Sequence, residues 1–197
     1  MTSILKADTI QDTDGNNIIN ESGNTITIGA SGDTTNIIGT LQNNGAAVGG
    51  DNTPYFYAFL SSSQNVSDAT TTTVQFDSEL IDASSAYNTS NYRFTPQTAG
   101  YYQLHTQVNC DATAADSLKL AQIFIRKNGS AISNSFVDGR NDEIGYAQTP
   151  SLSVIVQANG SSDYFDVQGY VDSSSGSQRF YGASDSPTFF WGYKLIG

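Results

Sequence analysis

The sequence is short of charge. Lys and Arg together number 8 and Asp and Glu 19 in 197 residues, so charged side chains make up 14% of the chain. Nucleic-acid binding draws on clustered Lys and Arg, and so few cations exclude it. The net charge of −11 serves solubility and names no cationic ligand. A single cysteine, Cys110, excludes an intrachain disulfide. A single histidine, His105, leaves any Ser or Cys nucleophile one candidate base, and one His with one Cys is too few for a zinc site. Asp142 and Glu143 are adjacent in a polar loop, where carboxylates are solvated, and nothing supports a glycosidase pair. No phosphate-cradling glycine loop opens a helix, because no segment shows helical periodicity. No run approaches the ~20 apolar residues of a membrane-crossing helix. Met1-Thr-Ser-Ile-Leu-Lys lacks the apolar core of an export signal, so the expectation is a product assembled in the cytoplasm where it is made.

What is present is aromatic and alternating. Eleven Tyr and ten Phe suit a core packed between sheets. The surface must be covered by Ser, Thr, Asn, Gln and Gly. In the stretch 91–109, Tyr102, Leu104 and Val108 point one way and Gln103, His105, Gln107 and Asn109 the other. Pro96 and Gly100 between two such runs predict a strand, a tight turn and a second strand. Cys110 continues the apolar side and is expected to be a buried, inert thiol. Tyr55, Tyr57 and Phe59 alternate with Phe56, Ala58 and Leu60, which predicts a strand apolar on both faces. The same holds over 118–126. Lys127-Asn128-Gly129-Ser130 is a hairpin signal. Val74 with Phe76, Leu152 with Val154 and Val156, and Phe165 with Val167 and Val171 supply further inward positions. Phe189, Trp191, Tyr193 and Leu195 close the sheet.

Residues 1–50 differ. They contain no aromatic residue, and isoleucines recur at Ile4, Ile10, Ile18-Ile19, Ile26, Ile28 and Ile37-Ile38 between turn signals such as Ser31-Gly32-Asp33. A segment so poor in apolar residues cannot offset its ordering entropy alone. Three copies around one axis could, which predicts a slender β-rich stem or arm. Asp12-x-Asp14-Gly15 fails the EF-hand spacing and reads as a turn. A Gly- and Asn-rich stretch, 39–51, links this region to a second domain at 54–197.

Phe94-x-Pro96-x-x-x-Gly100-x-Tyr102 resembles the central motif of the C1q/tumour-necrosis-factor-like jelly-roll domain. Ser151-Leu-Ser-Val-Ile-Val-Gln-Ala-Asn-Gly160 and Ser186-Pro-Thr-Phe-Phe-Trp-Gly-Tyr-Lys-Leu-Ile-Gly197 resemble later strands of that family, in the right order. The resemblance implies an all-β sandwich, a homotrimer and a binding role rather than an enzyme. It also implies that both ends of the jelly roll lie together, so that loops 83–92, 138–148 and 172–186 face outward. Tyr87, Tyr146, Arg179 and Tyr181 are the receptor-binding candidates, tyrosine for amphipathic contact and arginine for forked donors. Some relatives of this fold bind calcium in loops, and Asp172 and Asp185 are the candidate ligands here. Ser3-Ile-Leu-Lys-Ala-Asp-Thr-Ile with Asn24-Thr-Ile-Thr-Ile-Gly is similar to the opening of tail-fibre-like proteins of marine bacteriophages. Together these expectations describe a trimeric virion fibre, held to other virion proteins by its N-terminal region, whose tip binds a host-surface glycan or protein. The competing expectations are a capsid decoration or head fibre without receptor recognition and, from another class, a glycan-active enzyme.

Overall fold

The computed structural model describes residues 9–11, 13–14, 17–22, 25–28, 31–39, 41–43, 46–47, 52–140, 145–185 and 187–196. Ile4, the turns at Asp14-Gly15-Asn16 and Ser22-Gly23-Asn24, and the pair Asp142 and Glu143 lie wholly or partly outside them. The described residues form no α-helix. They fall into two compact units, Met1–Gly50 and Asp51–Gly197.

In the first unit, Thr9–Gln11, Asn17–Ser22 and Thr25–Ile28 make a three-stranded antiparallel sheet, and Gln42–Asn43 pairs with Ala46–Ala47. The register sets Ile10 opposite Ile19 and Ile19 opposite Ile28. That row of isoleucines crosses all three strands, and each of the three is exposed. Ile26, two residues from Ile28 and therefore on the same face, is 68% exposed.

The second unit is a two-sheet sandwich. One sheet has the order Ser151–Asn159, Ala99–Gln107, Phe189–Lys194, Tyr55–Phe59, Ser78–Asp82. The other runs Tyr87–Asn88, Arg93–Phe94, Phe165–Ser173, Leu118–Lys127, Ser130–Asp138, with Thr72–Thr73 also on Phe165–Ser173. Alternation decides what each sheet buries. Phe56, Ala58, Tyr102, Leu104 and Phe190 from the first meet Phe94, Ile123, Ile125, Phe165 and Val167 from the second, all essentially inaccessible. Aromatic contacts tie the layers. The Phe56 ring stacks on Phe94 at 4.3 Å and meets Phe190 edge-on at 4.9 Å. Cys110 is buried, as its place in the alternation requires, and burial pushes its thiol pKa up. A register shift between Leu118 and Leu120 turns Leu118 to the same side as Ala121 and Ile123. Asn128 and Gly129 both adopt positive φ, 52° and 82°, as the hairpin they form requires.

Two expectations need correction. The stretch 91–109 is not a hairpin. Arg93–Phe94 pairs within the second sheet, where Phe94 faces Phe165, whereas Ala99–Gln107 lies in the first between Ser151–Asn159 and Phe189–Lys194. Residues 95–98 are a crossover between layers. Pro96 ends one strand, and Gly100, at φ 151°, is already inside the next. Loop 83–92 does not face away from the ends of the sandwich. The Lys194 amide donates to Asn52 O, so the entering and leaving chain meet, and the Ala83 amide donates to Tyr55 O at that same end.

Candidate functional site

The far end of the sandwich carries a small sheet of its own. Beyond Gln107 the strand Ala99–Gln107 continues as Asn109–Asp111, leaves the five-stranded sheet and enters the order Ala147–Gln148, Asn109–Asp111, Arg179–Tyr181, Gln64–Asn65. Its register sets Asn109 opposite Tyr181, Cys110 opposite Phe180 and Asp111 opposite Arg179. Cys110 and Phe180 turn into the core. Period-2 alternation therefore sends Asn109, Asp111, Arg179 and Tyr181 to the opposite face. Tyr146 joins them because its carbonyl accepts the Ala112 amide at 3.0 Å. With Ala147 these residues line a groove of about 380 Å³.

An ion pair organises the groove. Arg179 donates from Nε at 2.8 Å and from Nη2 at 2.6 Å, both to Oδ2 of Asp111. Asp111 Oδ1 accepts the Thr113 amide at 2.6 Å. Asp111 is buried, and the charge-assisted bonds supply what its desolvation demands. The same bonds push the Arg179 pKa further up, so the guanidinium stays charged. Its plane lies near the Tyr181 ring, 5.4 Å from Cζ to centroid. Tyr146 is 47% and Tyr181 36% exposed, so both rings are open to a ligand. Asn109 Oδ1 is the contrary case. It is buried and, among the described residues, has no hydrogen-bond partner. An unpaired buried acceptor costs about 1–3 kcal/mol.

Three of the four receptor-binding candidates, Tyr146, Arg179 and Tyr181, thus come together. Tyr87 does not, and its assignment is corrected: it is 4% exposed, its ring stacks on Phe56 at 5.2 Å and its hydroxyl donates to Phe76 O at 3.2 Å. The cause is local. Asp82 accepts the amides of Ala86 and Tyr87, a turn that drives the ring inward. Asn109 and Asp111 were missed. Their signal is the alternation through Cys110: if the thiol points in, its neighbours point out. Of the calcium candidates, Asp172 has Lys119 Nζ at 4.0 Å and Asp185 is exposed, with no cluster of three or more His, Cys, Asp or Glu among the described residues.

The outer face of the five-stranded sheet is a second feature. Register places Ile81, Tyr57, Trp191, His105 and Ser153 in one row across all five strands, flanked by a row holding Phe59 and Phe189 and another holding Tyr55, Tyr193, Gln103 and Ile155. Tyr57 stacks on Phe189 at 5.4 Å, and Trp191 on Tyr193 at 6.0 Å. Ile155 is 63% exposed. His105 Nδ1 and Ser153 Oγ share a hydrogen bond of 2.7 Å. No carboxylate bonds the ring among the described residues.

Burial lowers the His105 pKa from its ordinary 6.5, partly opposed by a hydrogen bond that the ring donates to the Leu152 backbone. As pH falls, the unfolded chain therefore takes up this proton before the folded one. The stability contributed by the neutral ring is present above 6.5 and is lost as pH drops through the lowered value. His105→Gln should flatten the decline in melting temperature between about pH 7 and about pH 5. Parallel melting curves for the two proteins would refute this.

No protein-family model and no curated protein matches the sequence. Solved structures do. The globular domain of zebrafish complement 1qA protein superposes with a TM-score of 0.54 at 12% identity, over 73% of this chain and 97% of that one. Eiger TNF from S. frugiperda gives 0.52 at 10%, over 73% and 94%. Murine APRIL gives 0.50 at 13%, over 72% and 99%. The sandwich is a C1q/TNF-like jelly roll, and at these identities the likeness is one of fold.

Proposed function

We propose that this chain is a non-enzymatic, homotrimeric virion fibre protein of a bacteriophage, whose jelly-roll end binds a host cell-surface receptor, a glycan. The observation that carries it is the aromatic outer face of the five-stranded sheet. A single chain leaves Tyr57, Phe59, Phe189, Trp191 and Tyr193 half-covered, and three copies closing around an axis would bury them. The isoleucine row of the first unit calls for the same partner, a second and third copy of itself. The likeness of residues 3–29 to phage tail-fibre openings supports attachment to other virion proteins there, in a particle assembled in the host cytoplasm. The groove at Tyr146, Arg179 and Tyr181 lies beyond the Phe59 and Phe189 end of the sandwich, away from where its chain enters and leaves. Three such grooves per trimer turn weak single contacts into avidity.

The test is phage adsorption. Tyr146→Ala with Tyr181→Ala removes both exposed rings while leaving the Asp111–Arg179 pair intact, and adsorption should fall about tenfold or more. Unchanged adsorption by a virion carrying the intact trimeric variant would favour a capsid decoration or head fibre instead.

A further inference from the structure

We infer that the groove takes a neutral saccharide and rejects acidic ones. This rests on the receptor-binding reading above and narrows it. The forked donors of an arginine alone suit sugars and carboxylates alike. The structure separates them by three observations.

First, the cation is already matched. Two N–H groups of Arg179 converge on one oxygen of Asp111, so the pair brings no net charge to the groove. An anion arriving there would meet a buried carboxylate as well as a guanidinium, on a chain whose net charge is −11. Second, Asn109 Oδ1 is an acceptor without a partner among the described residues. Its partial negative charge at the floor opposes an arriving anion and does not oppose a neutral sugar. Third, the groove combines its polar floor with two exposed phenol rings. An aromatic face carries partial negative charge and attracts polarised C–H groups, which one side of a pyranose presents, while the phenol hydroxyls and Arg179 Nη1 remain as donors to ring substituents. At about 380 Å³ the groove sits in the lower part of the range of small-molecule sites.

The experiment titrates the full-length protein by ligand-observed NMR with matched sugars. The probes are the methyl glycosides of glucose, galactose, mannose and N-acetylglucosamine, each beside the acid of the same stereochemistry, the glycosides of glucuronate, galacturonate, mannuronate and N-acetylmuramate. At least one neutral glycoside should bind about tenfold more tightly than its acid. Its affinity should hold between about 0.05 M and about 0.5 M salt, because no net charge is brought together. Tyr181→Ala should weaken it about tenfold with circular dichroism and mass unchanged. Equal or tighter binding of the acid, affinity that falls with salt, or binding of neither probe overturns the inference. If the phage still needs Tyr146 and Tyr181 to adsorb in that event, the receptor role stands without a neutral sugar. If neutral sugar binds but the double tyrosine variant adsorbs normally, the sugar site stands and the receptor role falls.

Discussion

Trp191→Glu is expected to convert the proposed trimer, three times 21.0 kDa in light scattering, to a monomer of 21.0 kDa. Trp191 sits in the middle of the outward row, between Tyr57 on one neighbouring strand and His105 on the other. Its ring lies 5.1 Å from His105 and 6.0 Å from Tyr193. In the proposed trimer a carboxylate there would be desolvated with only His105, a base weakened by burial, beside it, at an effective cost of several kcal/mol in each of three copies and close to its own symmetry mates. The fold itself should survive. The residues that build the core from this strand are Phe190 and Gly192, which face the other way. Far-UV circular dichroism should therefore match the parent. A variant that stays trimeric would show that this sheet face is not the interface, and a parent that is monomeric at micromolar concentration would remove the trimer altogether.

Phe56→Ala should be the most damaging single change to the sandwich. The Phe56 ring touches three other aromatic rings, Tyr87, Phe94 and Phe190, drawn from both sheets. Truncation would leave a void lined by rigid rings that cannot collapse into it, and such Phe→Ala changes cost about 3–5 kcal/mol. In a domain of this size each kcal/mol lowers the melting temperature by about 2–4 °C, so a fall of roughly 10 °C is expected. Tyr87→Ala should follow the same course to a lesser degree. Tyr87→Phe, which removes only the hydrogen bond to Phe76 O, should cost about 1 kcal/mol. Calorimetry of the three variants orders them. If Tyr87→Ala instead melted like the parent, its ring would not be a core element.

Much of this fold was legible because alternation is local. Tyr102, Leu104 and Val108 on one side and Gln103, His105 and Gln107 on the other can be read without knowing any partner strand, and all six fall as the period demands. The hairpin at Asn128-Gly129 is equally local. Errors arose where layer assignment mattered. A strand, a proline, a glycine and a strand look alike whether the chain turns back within one sheet or crosses to the other. Only the partners distinguish them, and the partners of Phe94 and Tyr102 lie far along the chain. The groove shows the same division. Tyr146, Arg179 and Tyr181 were chosen for their chemistry, but Asp111, 68 residues from Arg179, was invisible as the group that fixes and neutralises it. Tyr87 was misplaced because a turn closed by Asp82 reads, in sequence, as one more polar loop.

The place of Phe189–Lys194 in the first sheet has a consequence for biosynthesis. This strand is the last of the described strands, yet it lies between Tyr55–Phe59 and Ala99–Gln107, and its Tyr193 bonds Gln103 across 90 residues. Until it is made, the two strands it separates have no neighbour between them, and their open edges are free to pair with other chains. The domain therefore closes only after translation has passed residue 194, and pairing over such distances is slow. A product truncated before this strand would carry most of the aromatic core and no way to seal it, which makes it a substrate for chaperones or aggregates.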